Sequence, residues 1–312
     1  MLRFAKLAAH PRKLYRMTGL TLGQCQTLTD RLTPWWTEAE RTRLSQRPRV
    51  RALSQGRKYK LATMAEKLLL VLMFYRFDLT DELLGWLVGV EASTVCRLLQ
   101  KLEPLLEPAA DPALGLTLRR RLPPGAKKIG TWEKLLEVCP ECAEVITDAT
   151  EQPRQRPLHR SQRRWDSGKK KRHTVKTQVT VNRRGRILTV SRSVPGRLHD
   201  DALFQREGTA RDLPRASRHY VDLGYEGAPG DYPDATFLLP VKRRRHHRLL
   251  TRAERRFNRW QARLRIGVEH GFSRLKKSRV LVQIYRHRIA DYNRRFRNVA
   301  ALVNFRLALA PG

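Results

Sequence analysis

Apolar residues crowd most densely between Leu61 and Leu106, in LATMAEKLLLVLMFYRFDLTDELLGWLVGVEASTVCRLLQKLEPLL, a stretch with no proline and no charge block before Pro104. Their recurrence at intervals of three and four predicts helices. One helix is expected up to about Phe77, and a second is opened by Thr80 as N-cap with Leu83, Leu84 and Leu87 on its apolar side. After a turn at Gly89 comes a third, capped by Glu91 or Ser93 and running through Val95, Leu98, Leu99 and Leu102. Two helices joined by a short glycine turn have helix-turn-helix spacing, in which the second helix can enter a DNA major groove. It would present Ser93, Thr94 and Arg97 to the DNA. A plain three-helix bundle is the competing reading of this segment.

The flanks have a different texture. Residues 1–60 mix short apolar clusters (Leu14, Tyr15, Leu20, Leu22) with basic residues, which predicts a basic N-terminal arm with some helix. The stretch from Pro104 to Lys128 is rich in proline and contains Arg119-Arg120-Arg121, marking a boundary. Beyond it, strands are predicted at Val145 to Thr147, His173 to Val181 and Arg186 to Val194. The last two are separated by Asn182-Arg183-Arg184-Gly185, a hairpin signal. A helix from His199 to Glu207, strands at His219 to Leu223 and Thr236 to Leu239, and a long helix from Thr251 to about Ser278 complete the order β, β, β, α, β, β, α. The expected organisation is an arm at 1–60, a helix-turn-helix module at 61–110, a linker at 111–143 and an α/β domain at 144–312.

Composition narrows the function. Of 312 residues, 41% are hydrophobic, which excludes a wholly disordered chain. Lys and Arg number 64 against 29 Asp and Glu, a net charge of +35 that calls for a polyanionic partner. Nucleic acid fits best, because neutralising phosphates releases counterions; an anionic membrane surface is the lesser alternative. No run approaches the ~18 to 20 apolar residues of a membrane-spanning helix, and the basic N-terminus lacks the apolar core of an export signal. Four cysteines in a chain of this length make no disulfide framework, so a reducing cytoplasm is the expected compartment. Cys139-Pro-Glu-Cys142 is a CxxC pair without a second pair to complete a zinc site, and no zinc is expected.

Three acids stand where surface decoration explains them poorly. Asp148 is expected to end the strand EVITD and Asp222 the strand HYVD, the usual place for ligand-binding groups on an α/β sheet. Glu269 falls in the long basic helix, at the edge of an apolar stripe of Phe257, Leu264, Val268 and Leu275, beside Arg265 and Lys276. Singly, each has an ordinary reading; Glu269 could be an i, i+4 partner of Arg265, worth only ~0.2 to 0.5 kcal/mol. Together, two strand-end aspartates and a helical glutamate can hold two divalent cations ~3.5 to 4 Å apart for phosphoryl transfer. Oxygen-only ligands favour magnesium or manganese. The basic clusters at Lys169, Lys170, Lys171 and Arg172 and at Lys242 to Arg248 would then follow the DNA backbone, positioning it without reading sequence.

Several blocks occur in a telling order: VITDATEQPRQRP, SGKKKRHTVKTQ, PGRLHD, VDLGYEG, RIGVEHGFSRLKKSRVL, and the YRHR and VAALVNF stretches of the tail. In this arrangement the chain, from about residue 60 to its C-terminus, resembles the DDE transposases of bacterial insertion sequences, specifically the insertion-sequence family numbered five. The resemblance makes Asp148, Asp222 and Glu269 the catalytic acids and the ligands of two divalent ions, Mg2+ or Mn2+. Arg265, Glu269 and Lys276 match the family spacing Arg, three residues, Glu, six residues, Lys, so Arg265 and Lys276 would hold phosphates; the family's tyrosine position holds Ala262. The His199-Asp200 pair is included, with Asp200 open between a place near the metals and a helix cap.

What the resemblance implies is an α/β fold, a ribonuclease-H-like catalytic domain with a mixed sheet flanked by helices, preceded by an all-α helix-turn-helix module. The implied activity is cleavage of double-stranded DNA at the element's ends and strand transfer to target DNA, by at least a homodimer on DNA, in the bacterial cytoplasm at the nucleoid. The alternatives are a domesticated nuclease that cuts without transposing and a non-catalytic helix-turn-helix regulator.

Overall fold

The computed structural model describes residues 1–46, 60–114, 124–243 and 249–310, arranged as two compact units. The first comprises Met1–Pro112, Lys277–Leu281 and Arg294–Gly312, and the second Ala113–Lys276 and Val282–Asn293. Arg119 to Arg121 and the part of the second basic cluster at 244–248 lie outside the described residues.

The first unit is helical: α1 (Phe4–Ala8), α2 (Pro11–Thr18), α3 (Leu22–Ser45), α4 (Met64–Phe77), α5 (Asp81–Val88) and α6 (Ala92–Ala110), with the larger part of the C-terminal helix Ile289–Ala308. Thr21 and Gln24 close a capping box at the start of α3. In α4, Leu68 to Tyr75 are all buried, the pattern of a helix surrounded by others. Thr80 Oγ1 accepts from Leu83 N–H at the start of α5, and Gly89 ends that helix at φ 79°, a left-handed conformation that glycine adopts without steric cost. The glycine turn and its flanking helices therefore stand where the apolar spacing put them. The N-terminal stretch holds more structure than the expected arm. Leu14, Cys25, Leu28 and Leu32 are wholly buried, so its short apolar clusters line a helical core. Helix α6 continues through Pro104 and Pro108, because Leu102, Leu106, Ala109 and Ala110 prolong its buried stripe. That packing outweighs the backbone hydrogen bond each proline removes.

The second unit is α/β. Its elements are α7 (Trp132–Val138), β1 (Glu144–Pro153), α8 (Gln162–Trp165), β2 (Asp166–Ser167), β3 (Arg172–Asn182), β4 (Ile187–Val190), β5 (Val194–Pro195), α9 (Asp200–Glu207), α10 (Thr209–Asp212), β6 (Arg218–Tyr220), α11 (Ala228–Asp231), β7 (Thr236–Leu238) and α12 (Arg252–Lys276). The strands form one mixed sheet in the order β2-β3-β1-β6-β7, with β4 and β5 also paired to β3. β1 runs antiparallel to β3 and parallel to β6, and β6 runs parallel to β7. The β3–β4 hairpin turns at Asn182 to Gly185, Gly185 taking φ 76°. This is the mixed sheet flanked by helices that the element order implies, consistent with a ribonuclease-H-like domain. Part of the expected linker belongs to the core, since Leu135, Cys139 and Cys142 pack with Val145, Leu188 and Leu213.

His219 gives the sheet a pH dependence. It lies in β6, stacked on Phe237 with ring centroids 4.9 Å apart, and neither ring nitrogen has a hydrogen-bond partner among the described residues. Burial pushes its imidazole down to about 4. The folded state thus keeps it neutral while the unfolded chain protonates it below its ordinary value near 6.5. Stability present above pH 6.5 is therefore lost as pH falls toward 4, by about 3 kcal/mol in full. Urea denaturation of His219→Phe at pH 7.5 and pH 4.5 should show a smaller acid loss than the parent; an equal loss would refute the assignment.

Candidate active site

The register of β1 on β6 builds the centre of the site. Their last parallel pair is Ile146 with Tyr220. One further step of two residues along each chain reaches Asp148 and Asp222, so the aspartates come level just where the strands part. Adjacent parallel strands lie about 4.8 Å apart. Asp148 was expected to end its strand, but β1 continues to Pro153 because its antiparallel pairing with β3 runs on to Thr174. What ends near Asp148 is the pairing with β6. Asp222 caps the turn Leu223–Tyr225, and its Oδ1 accepts from Gly224 N–H at 2.7 Å. Asp148 Oδ1 accepts from Ala149 N–H at 2.8 Å.

Each aspartate is left with Oδ2, and both of these oxygens face Arg265 of α12. Its Nη2 lies 3.6 Å from Asp148 Oδ2 and 3.8 Å from Asp222 Oδ2. Helix α12 is anchored there by buried Gln261, whose Nε2 donates to the carbonyl oxygens of Val221 and Leu238. Burial raises the Asp148 carboxyl above its ordinary range; the Ala149 N–H and Arg265 oppose this, while the charges of Asp222 and Asp200 add to it. The same three aspartates, after burial, raise the Tyr225 hydroxyl.

Asp200, whose place the sequence left open, is not the cap of its helix. That position is held by His199, whose Nδ1 accepts from Asp201 N–H. Asp200 instead bonds Lys176 of β3, Nζ to Oδ1 at 2.6 Å, and Lys176 also stands 3.5 Å from Glu151. Sequence reasoning missed Lys176 and Glu151 altogether. A lysine inside the apolar alternation of HTVKTQVTV was the available signal, since a buried lysine needs a carboxylate partner.

Glu269 lies one turn beyond Arg265 on α12 and is exposed, without an ion pair among the described residues. Arg265 is turned to the aspartates rather than to Glu269. Among the described residues, ligand atoms of three potential metal-binding side chains come within 4.8 Å of one another only at Cys139, Glu141 and Cys142, so the three acids do not converge that closely. Both cysteines of that trio are buried in the apolar cluster with Leu135 and Val145. Lys276 is exposed at the last turn of α12. Lys169, Lys170 and Lys171 are exposed in the turn between β2 and β3, Lys171 at φ 52°. In the helical unit, Ser93 and Arg97 share the outer side of α6, Arg97 donating to the Ser93 carbonyl and hydroxyl, and Thr94 is half-buried beside them.

The residues around Asp148 and Asp222 suit a divalent cation. The donors are carboxylate oxygens, the guanidinium of Arg265 already holds a positive charge between them, and Gly224 leaves room that a side chain would take. A Cβ there would lie 2.8 Å from Asp222 Oδ1.

Residues 147–304 match the family described as DDE superfamily endonuclease, and residues 59–110 match the helix-turn-helix of DDE superfamily endonuclease. A protein of Microchaete diplosiphon described as "Probable transposase for insertion sequence element IS702" is 30% identical over 254 residues, covering 81% of this chain and 84% of that protein. No solved structure matches the chain. No helix among the described residues is long and apolar enough to cross a membrane.

Proposed function

The chain belongs to the DDE superfamily of insertion-sequence transposases, and from that premise we propose that it cuts DNA at the ends of its own element and joins the freed 3′ ends to target DNA. The observation that carries the reading is the level placement of Asp148 and Asp222 across β1 and β6, with one cationic side chain already between them. Glu269 is the third acid of the reading, supported by the Arg265, Glu269, Lys276 spacing and by its place one turn from Arg265. These three acids would hold two divalent ions, Mg2+ or Mn2+. Bound there, such ions supply the positive charge that stabilises an in-line phosphoryl transfer.

The chain's own residues do the rest. Arg265 exchanges its two carboxylates for a phosphate oxygen when DNA enters, and Lys276 holds a second phosphate. In cleavage, a water oxygen bonds to phosphorus as the bond to the element's 3′ oxygen breaks; in joining, that 3′-hydroxyl oxygen bonds to a target phosphorus as the bond from that phosphorus to the target strand's own 3′ oxygen breaks, leaving a target 3′-hydroxyl. Ser93, Thr94 and Arg97 read the element end in the major groove, while Lys169, Lys170 and Lys171 follow the backbone. Two ends must be cut in concert, so the working species on DNA is at least a homodimer, acting at the bacterial nucleoid in the cytoplasm.

The purified chain, given duplex DNA bearing its element's inverted-repeat ends, should yield 3′-hydroxyl ends and joined products in Mg2+ and neither after chelation. Cutting without joining would establish a nuclease. Binding that leaves the DNA intact under every metal condition would establish a regulator and overturn the proposal.

A further inference from the structure

Lys176 lies within β3, a strand whose side chains from Thr174 to Asn182 are all buried. Its own side chain is 7% exposed. An ammonium group in such a place is tolerated only when paired and hydrogen-bonded, and here the pairing is complete. Nζ donates to Asp200 Oδ1 and to the Leu198 carbonyl, each at 2.6 Å, and stands 3.5 Å from Glu151 Oε1. Thr174 Oγ1 donates to the second oxygen of Glu151 at 2.7 Å, which fixes that carboxylate in turn.

The network points at the site. Asp200 Oδ1 is taken by Lys176, whereas Oδ2 faces Gly224, 3.4 Å from where a Cβ on that glycine would sit. Asp222 Oδ1 faces the same point from 2.8 Å. Asp200 and Asp222 thus flank one gap, kept open by the missing side chain of Gly224, and the charge of Asp200 is felt at Asp148.

We propose that Asp200 is a further acid of the cleft formed by Asp148 and Asp222, and that Lys176, itself anchored by Glu151, is the positioning residue that turns it there. The inference rests on the phosphoryl-transfer reading of that cleft. With one oxygen committed to Lys176, the remaining oxygen accepts hydrogen bonds from water carried by a bound cation; Mg2+ in particular retains several of its waters. Residues that hold ligands and their water in this way commonly set metal affinity by factors of about 10 to 100.

The test is direct titration of the full chain, bound to an element-end duplex, with Mn2+, following free Mn2+ by electron paramagnetic resonance. Asp200→Asn, which keeps the shape of the side chain but removes its charge and exchanges one acceptor oxygen for an NH2 donor, should weaken Mn2+ binding by roughly tenfold or more. Lys176→Gln should do the same, Lys176→Arg should restore most of the affinity, and the Lys176→Gln, Asp200→Asn pair should be no weaker than the worse single variant, since both act through one carboxylate. Parental Mn2+ affinity in Asp200→Asn, with binding lost in Asp148→Asn and Asp222→Asn, would overturn the inference and leave the cleft reading intact. Additive losses in the double variant would reduce Lys176 to a structural role. A parent chain that takes up no Mn2+ would overturn the cleft reading itself. If Lys176→Gln fails to fold, Asp200→Asn and Lys176→Arg decide the matter.

Discussion

Asp222→Asn is expected to lower metal-dependent cleavage of element ends by roughly a thousandfold or more, at the upper end of what one lost electrostatic contact to a transition state costs. The side chain keeps its size, and its amide oxygen can still accept from Gly224 N–H, so the turn at Leu223–Tyr225 should survive. What disappears is one of the two charges facing Arg265 from the parting strands. Asp148→Asn and Glu269→Gln should show the same loss. Binding of end DNA should persist in all three, because the helix-turn-helix segment is untouched. Gel assays of cleavage and of binding, run on the same preparations, check both halves. A Glu269→Gln protein that cuts at the parental rate would remove Glu269 from the site without touching the aspartates.

Glu103→Ala should destabilise the helical unit by about 3 to 5 kcal/mol, the range expected when one partner of a buried ion pair is removed. Glu103 lies in α6 with its side chain 1% exposed, and accepts from Arg295 Nε at 2.8 Å and Arg294 Nη2 at 3.3 Å. Arg295 is itself buried, stacked over Phe74 with its guanidinium carbon 4.8 Å from the ring centroid. The carbonyl of Glu103 accepts from Asn298, which also donates to the Tyr75 hydroxyl. Truncating the carboxylate therefore removes the anion that both guanidiniums share; Arg295 is left in surroundings that screen poorly, whereas Arg294, 35% exposed, is partly screened by water. The exposed pair Glu38 and Arg41 is the control, with side chains 68% and 73% exposed. Glu38→Ala should change stability by no more than about 0.5 kcal/mol. Denaturant titration of both variants tests the contrast, and a Glu103→Ala loss below about 1 kcal/mol would contradict the account given for buried pairs.

Local signals were legible along the chain because they rest on neighbouring residues. The apolar spacing from Leu61 to Leu106, the cap at Thr80, the glycine turn at Gly89, the hairpin at Asn182 to Gly185 and the order of strands and helices after residue 144 all depend on period, capping and turn chemistry. The excess of basic residues likewise pointed to DNA without any structure, and the acids at 148, 222 and 269 stood out by their contexts and by the resemblance those contexts carried. Other features belong to tertiary structure alone. The β1–β6 register sets Asp148 level with Asp222, yet β1 runs past Asp148 because a different neighbour, β3, continues to pair with it. Arg265 lies between the aspartates because Gln261 ties α12 to the carbonyls of Val221, just past β6, and Leu238, the last residue of β7. The side chain of Asp200, the first residue of α9, is taken by Lys176, and Glu103 finds its arginines near the other end of the chain. Helix α6 passes two prolines for the packing beneath it. Each depends on pairings between residues remote in sequence, and such a pairing exists only once hydrogen-bond register and burial have brought the strands and helices together.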